Sequence, residues 1–187
     1  ELLFTGDNEF RRFNTKTFRY RTDHVADASN IANNWNIYLE QDTYRKFKIY
    51  TTWSDLNGKF FITTDIDSAS AVYTADYCTV HFSLYSDYPE PNGRIFLIGA
   101  FNNWKLDIPM EYDFDTKTHK AQILLKQGYY DYTYCYVDTR DFKPNYIYVD
   151  GSHWQTENDY VILTYIYDIQ SNADLLLGYT VINTKKK

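Results

Sequence analysis

The chain has 187 residues, which is enough for one large domain, or one domain with a half-sized neighbour, to bury a hydrophobic core. Its 19 basic and 25 acidic residues give a formal net charge of -6. This balance argues against a nucleic-acid groove, because phosphate binding needs a concentrated positive surface. Aromatic residues make up 19% of the chain, with 20 tyrosines, and such an excess is typical of half-buried, pleated strands.

The first candidate element runs from His24 to Asn36 and is interrupted by asparagines, so we predict a loop with at most one helical turn. Short apolar runs separated by turn signals follow it and predict strands. We place these strands at Phe47–Trp53, Lys59–Thr64, Asp76–Tyr85, Arg94–Gly99, Lys120–Lys126, Tyr129–Val137 and Tyr160–Tyr167. Their spacing predicts an all-β, antiparallel sandwich. The Asn57-Gly58 pair predicts a tight hairpin between the first two strands.

The segment 67–75 is composed of small, weakly patterned residues and predicts a connection or domain boundary. We therefore expect an N-terminal antiparallel β region over residues 1–71, which continues from or packs on a preceding domain. The β-sandwich itself is expected over residues 72–187. Because the chain begins with Glu1 rather than Met, we also expect it to be a mature or truncated piece of a longer protein.

The titratable residues predict neither a catalytic site nor a metal site. Cys78 and His81 stand three positions apart on a predicted strand and therefore point to opposite faces. The histidines and the paired acids lack the spacing of zinc or calcium ligands. Cys78 and Cys135 are interpreted as free thiols. We expect no cofactor, and no direct membrane insertion because no apolar run reaches about 20 residues.

The most informative segment is Gly99-Ala100-Phe101-Asn102-Asn103-Trp104, which follows an apolar strand and precedes the Gly128–Tyr134 run of alternating tyrosines. This arrangement resembles the early-set immunoglobulin-like domains related to glycogen-binding modules, over roughly residues 72–165. In sugar-binding members, the turn tryptophan and a second aromatic form a stacking platform with a lysine of the tyrosine strand. The resemblance maps the two aromatics onto Trp104 and Trp154, and Thr133 occupies the lysine position.

A longer resemblance covers Gly6 to Asn183. The stretches that carry it are Gly6–Phe13, Asp150–Tyr160 and Leu177–Asn183, in that order along the chain. Together they are similar to the type IX secretion system plug protein, without that family's amino-terminal β-domain. The resemblance implies a non-catalytic, periplasmic protein associated with the outer membrane. Its partner would be the large outer-membrane translocon β-barrel, whose periplasmic end it closes through protein–protein contacts.

Under this hypothesis the partner-binding residues are His153, Trp154 and Asn158, from the loop between Ser152 and Asp159. The alternative is a carbohydrate-binding module in which Trp104 and Trp154 contact a glycan. For Trp104 we favour a buried anchor beneath its turn over a ligand platform. Arg11 and Arg12 are expected to pair with nearby carboxylates at the surface rather than to bind an acidic partner.

Overall fold

The computed structural model describes residues 3–66 and 69–185. Twelve strands, two single-turn α-helices and one 3-10 helix, Ala100–Asn102, are formed in this part of the chain. The strands are β1 Arg11–Asn14, β2 Val25–Ile31, β3 Asn34–Leu39, β4 Phe60–Ile62, β5 Tyr77–Tyr85, β6 Gly93–Ile98, β7 Glu111–Asp113, β8 Thr118–Lys126, β9 Gly128–Asp138, β10 Pro144–Asn145, β11 Asp159–Asp168 and β12 Ala173–Asn183. The helices are α1 Ala71–Thr74 and α2 Ile147–Asp150, and no helix of the described residues could span a membrane.

The first sheet is organised around β9, whose eleven residues pair with four other strands. The first half of β9 lies between β1 and β4, and its second half lies between β6 and β10, all in antiparallel register. The alternating side chains of Tyr130, Tyr132 and Tyr134 are fully buried on one face of β9. Gly128 begins the strand where a Cβ atom would lie 2.4 Å from the Phe61 carbonyl oxygen, so only glycine allows β4 to approach.

The second sheet has the order β2-β3-β5-β8-β7. All its pairs are antiparallel except β3 and β5, which run parallel. In β5 the alternation of Cys78, Val80, Phe82 and Leu84 places these four side chains in the interior. The two sheets therefore enclose one core, and the prediction of an all-β sandwich is confirmed.

The core is strongly aromatic. The ring of Phe13 stacks on Tyr130 with 5.2 Å between centroids and meets the edges of Phe82 and Tyr132 at 5.5 and 5.7 Å. Offset and edge-to-face pairs of this kind add to the stabilisation from apolar burial. Both cysteines are free thiols, as predicted, and both are buried.

Residues on both sides of position 71 share this core. Phe13 from β1 and Ile37 from β3 pack in the same buried cluster as Val80 and Leu97. The N-terminal segment supplies β1 and β4 to the first sheet and β2 and β3 to the second. The regions 1–71 and 72–187 are therefore interleaved rather than forming separate packing units. Asp67 and Ser68 of the predicted connection lie outside the described residues.

Two predicted segments have a different structure. The predicted loop His24–Asn36 forms the β2–β3 hairpin, because Ala32 and Asn33 adopt positive φ angles of 49° and 67° and reverse the chain tightly. The predicted strand Phe47–Trp53 is irregular. Side-chain bonds hold it instead of a strand ladder, since the Trp53 indole donates to the Phe10 carbonyl at 2.8 Å.

The Asn57-Gly58 turn forms with the predicted positive φ angles of 52° and 75°. It does not join two paired strands, because the segment before it is irregular and β4 pairs with β9. A carboxylate oxygen of Asp131 accepts from the backbone N–H groups of Leu56 and Gly58 at 2.5 and 3.0 Å. The turn is therefore fixed onto the first sheet.

The last two strands form a separate two-stranded ribbon, β11–β12, which we call the terminal hairpin. At ten and eleven residues its strands match the longest in the sandwich. Every residue from Val161 to Ile182 is exposed except the half-buried Asp168. The hairpin thus projects from the sandwich into solvent.

Candidate functional site

The stretches Gly6–Phe13 and Asp150–Tyr160 meet at one end of the sandwich, and Asn183, the last residue of the stretch Leu177–Asn183, joins them there. The backbone N–H of Gly6 donates to the Ser152 hydroxyl at 3.0 Å, and the N–H of His153 donates to the Asp7 carbonyl at 2.8 Å. The Asn158 side-chain amide donates a hydrogen bond to the Gly6 carbonyl at 2.8 Å. A Cβ atom on Gly6 would lie 2.3 Å from the His153 carbonyl oxygen, so this close approach requires glycine.

The third stretch closes the same assembly at the base of the terminal hairpin. The Asn183 amide donates to the carboxylates of Glu157 and Asp159 at 3.1 and 2.7 Å. The Asn158 backbone N–H donates to the Thr184 hydroxyl at 2.9 Å. We call the segments 6–13 and 150–160, together with Asn183, the motif assembly. It links the N-terminal strand, the 152–158 loop and the terminal hairpin.

A buried ionic network lies under the motif assembly. The Arg11 guanidinium forms an ion pair with Asp42 and another with Asp150 at 2.6 Å. Asp150 also accepts from Arg45 Nε at 2.8 Å and from the Thr133 hydroxyl at 2.8 Å. Two cations therefore balance two carboxylates, as buried charges require. The expectation of a surface pair is wrong for Arg11, whereas Arg12 does pair at the surface with Asp23, at 2.9 Å.

Asp42 connects this network to the aromatic core. One of its carboxylate oxygens accepts from the hydroxyl groups of Tyr132 and Tyr134 at 2.8 and 2.6 Å. Burial alone would raise the pKa of Asp42, but the Arg11 guanidinium, His24 and the Tyr134 hydroxyl together outweigh it and hold that pKa well below its usual range. The carboxylate is saturated by internal donors, so the network stabilises the fold and is not arranged for proton transfer.

The predicted partner-binding residues differ in their surroundings. Trp154 is 86% exposed, so its indole is free to contact another molecule. The Asn158 side chain instead holds the Gly6 carbonyl, and the His153 ring lies half-buried beside Tyr50 with 5.5 Å between centroids. Asn158 and His153 therefore position the loop, and Trp154 is the residue of the three that the loop presents to solvent.

Trp104 is 39% exposed, so the prediction of a buried anchor is wrong. Its ring packs against Phe10 with 5.3 Å between centroids, and Gly58 lies against the same ring. It lines an acidic cleft of about 360 Å³ beside the motif assembly. The carboxylates of this cleft are Asp7, Glu9, Asp55, Asp150, Glu157 and Asp159. Trp154 does not line the cleft, so the two tryptophans do not form one platform there.

His, Cys, Asp and Glu side chains do not form a group of three or more that could hold a metal ion in residues 3–66 and 69–185. Many acids of the cleft already have internal partners. Glu9, for example, pairs with Lys185 at 2.9 Å, and Asp55 accepts from the Phe10 N–H at 2.9 Å. Glu9 and Asp55 are therefore engaged in contacts within the fold.

The pH dependence of stability should report on Asp131. Burial raises the pKa of Asp131 to about 6, with a further contribution from Asp55, although bonds from the Leu56 and Gly58 N–H groups oppose the shift. A folded pKa above the ordinary value means that this group contributes most at low pH and that its contribution falls as the pH rises toward 6. Urea unfolding between pH 4.5 and 6.5 should show Asp131→Asn gaining stability relative to the native protein as the pH rises.

Asp115→Asn is the matched control, since Asp115 is exposed. Its free energy of unfolding should change with pH in the same way as that of the native protein. Parallel curves for Asp131→Asn as well would contradict this assignment.

Comparison with known proteins shows similarity to a protein of solved structure. No protein-family model matches the chain, and no curated protein matches it. The crystal structure of a hypothetical protein from Parabacteroides merdae ATCC 43184 is similar, with 34% sequence identity and a TM-score of 0.88. The match covers 96% of this chain and 45% of the other, so this chain spans less than half the length of that protein. The β-sandwich with its projecting terminal hairpin is thus similar to part of a longer protein from that organism.

Proposed function

We propose that the protein is a non-catalytic structural plug that closes the periplasmic end of the outer-membrane type IX secretion translocon. The observation that carries the proposal is the motif assembly. The first of the three stretches lies more than a hundred residues from the other two along the chain, and all three resemble the same family. They are joined by the hydrogen bonds from Asn158 to Gly6, from His153 to Asp7 and from Asn183 to Asp159. A likeness spread along the chain thus corresponds to one physical unit.

The physical properties of the chain suit a stopper. A sandwich braced by the ionic network of Arg11, Asp42 and Asp150 resists deformation, which a plug needs when it holds a pore closed. The exposed indole of Trp154 and the exposed apolar side chains of the terminal hairpin supply contact surface for a protein partner. Periplasmic localisation at the outer membrane is part of the proposal.

Carbohydrate binding is the second candidate, and the geometry gives it less support. The half-exposed Trp104 ring beside an acidic cleft favours it, because sugars bind aromatic faces together with carboxylates. However, Trp154 lies outside the cleft, and Thr133, at the position of the expected lysine, donates to the buried Asp150. The combination on which the sugar site depended is therefore not assembled, and we favour the plug.

Co-purification with the translocon tests the plug proposal. We expect the affinity-tagged protein to retain the translocon from solubilised outer membranes, and Trp154→Ala to weaken the complex about tenfold, as loss of an exposed aromatic anchor does. Tyr88→Ala, which removes another exposed aromatic ring away from the motif assembly, is the matched control and should bind as the native protein does. Failure of the native protein to retain the translocon would reject the proposal.

A further inference from the structure

The terminal hairpin is apolar on both faces. Between Tyr160 and Tyr167, and between Leu175 and Ile182, the sequence contains no charged residue. Residues directly opposite in an antiparallel pair share a face, and the register pairs Ile162 with Thr180 and Leu163 with Tyr179. One face therefore carries Tyr160, Ile162, Ile166, Leu175 and Ile182, and the other carries Val161, Leu163, Tyr165, Tyr167, Leu176, Tyr179 and Val181.

A ribbon of this kind is stabilised when other protein surface covers it. A two-stranded hairpin is marginally stable in water. A continuous apolar run is typical of a strand that is buried on both faces. Near its base the hairpin contacts the sandwich through the Phe4 and Tyr160 rings, at 5.4 Å between centroids. Beyond that contact β11 continues from Val161 to Asp168, over about 27 Å, with both faces of the hairpin in solvent.

The two faces and two edges of the hairpin restrict what can cover it. Lipid cannot satisfy the outward N–H and C=O groups of two unpaired edges. A second copy stacked on one face leaves the other apolar face exposed. A protein cleft that contacts both faces buries the apolar side chains. Backbone or polar groups along the sides of the cleft can also form hydrogen bonds with the N–H and C=O groups of the two edges.

The charges of the hairpin add a second requirement. Its charged residues are all acidic, with Asp159 at the base and Asp168 and Asp174 beside the tip, and residues 159–183 contain no Lys, Arg or His. A complementary cleft therefore has an apolar interior and basic side chains where the tip arrives. This pattern of charge selects against an acidic partner surface.

We propose that the terminal hairpin inserts into an apolar cleft of the translocon that is basic at its far end. The inference rests on the proposed plug function, and it assigns the main contact to the hairpin rather than to the 152–158 loop. Trp154, next to the base of the hairpin, contacts the rim of the same cleft.

Binding to purified, detergent-solubilised translocon by biolayer interferometry tests the inference. Ile162→Glu and Leu163→Glu place a charge on opposite faces, and each should raise the Kd at least about tenfold. Asp174→Lys should slow association several-fold and reverse the salt dependence of that rate. Leu124→Glu is the matched control, since Leu124 is an exposed strand residue of the sandwich, and its Kd should stay within about twofold of native.

Folding is checked in the same samples. All four tryptophans lie outside the hairpin, so thermal unfolding followed by their fluorescence reports on the sandwich and should be unchanged in the hairpin variants. If the native protein binds and the face variants bind equally well, the hairpin inference is wrong and the plug proposal stands. If the native protein does not bind, both are wrong. A native dimer in analytical ultracentrifugation that the face variants abolish, or flotation of the native protein with lipid vesicles, would instead assign the hairpin to a second copy or to a membrane.

Discussion

Replacing Arg11 with methionine should lower the free energy of unfolding by about 3–5 kcal/mol, because it leaves Asp42 and Asp150 buried without their shared cation. Methionine fills most of the volume of the arginine stem, so the loss reports on charge rather than on packing. The free energy of unfolding of Arg11→Lys should lie between those of the native protein and Arg11→Met, since a single ammonium group cannot replace a guanidinium that reaches two carboxylates. Urea denaturation at pH 7 measures all three proteins.

Arg19→Met is the control for this experiment, because Arg19 is exposed and the change should stay within about 0.5 kcal/mol. A loss of less than about 1 kcal/mol for Arg11→Met would show that water or a rearranged Arg45 compensates the two carboxylates. The description of the network as an element that stabilises the fold would then be wrong.

Phe13→Ala should be similarly costly, at about 3–5 kcal/mol, because it removes a fully buried ring from the centre of the aromatic core. The cavity it leaves is bordered by Tyr130, Tyr132 and Phe82, whose rings pack directly against Phe13. Tyr132 is held in place by its bond to Asp42, so it cannot collapse freely into the space. Denaturant unfolding measures the loss.

Phe47→Ala serves as the matched control, since the Phe47 ring is almost fully exposed and its loss should change stability by less than about 0.5 kcal/mol. If both substitutions changed the free energy of unfolding by the same small amount, Phe13 would not lie at the centre of the core. A large loss for Phe13→Ala also supports a single core, because β1 belongs to the region 1–71 and the rings around Phe13 belong to the region 72–187.

Alternation of apolar residues was sufficient to predict much of the sandwich. The patterns of β5 and β9 are regular because one face of each strand is buried, so both were found within a residue or two of their observed ends. Strands as short as β1, β7 and β10 carry too few residues for a pattern, and their existence depends on the long strands beside them.

The wrong predictions for the β2–β3 hairpin and for Arg11 have physical causes that cannot be identified from a single sequence. The asparagines at 33 and 34 were interpreted as breaking an element, whereas Asn33 supplies the positive φ angle of the β2–β3 turn. Arg11 shares an inward-facing alternation with Phe13, and this was the available signal for its burial. Its partners stand 31 and 139 positions away, and no local pattern identifies them.

The candidate site was partly predictable. The stretches at 6–13 and 150–160 were recognised as informative, but their mutual contact through Gly6 and His153 is a tertiary property. The strand Tyr160–Tyr167 was predicted, and its partner β12 was not. The isolation of the resulting hairpin follows from the absence of a third strand beside it in the described structure, which periodicity does not report.

Conductance of the translocon in a planar bilayer tests the central claim most directly. The purified protein is added to the periplasmic side of an open, reconstituted translocon while the current is recorded. The plug proposal predicts that the conductance falls to that of the bare bilayer, and that it falls less when Leu163→Glu replaces the native protein at the same concentration. An open pore that conducts equally before and after a saturating amount of native protein would contradict the proposed function.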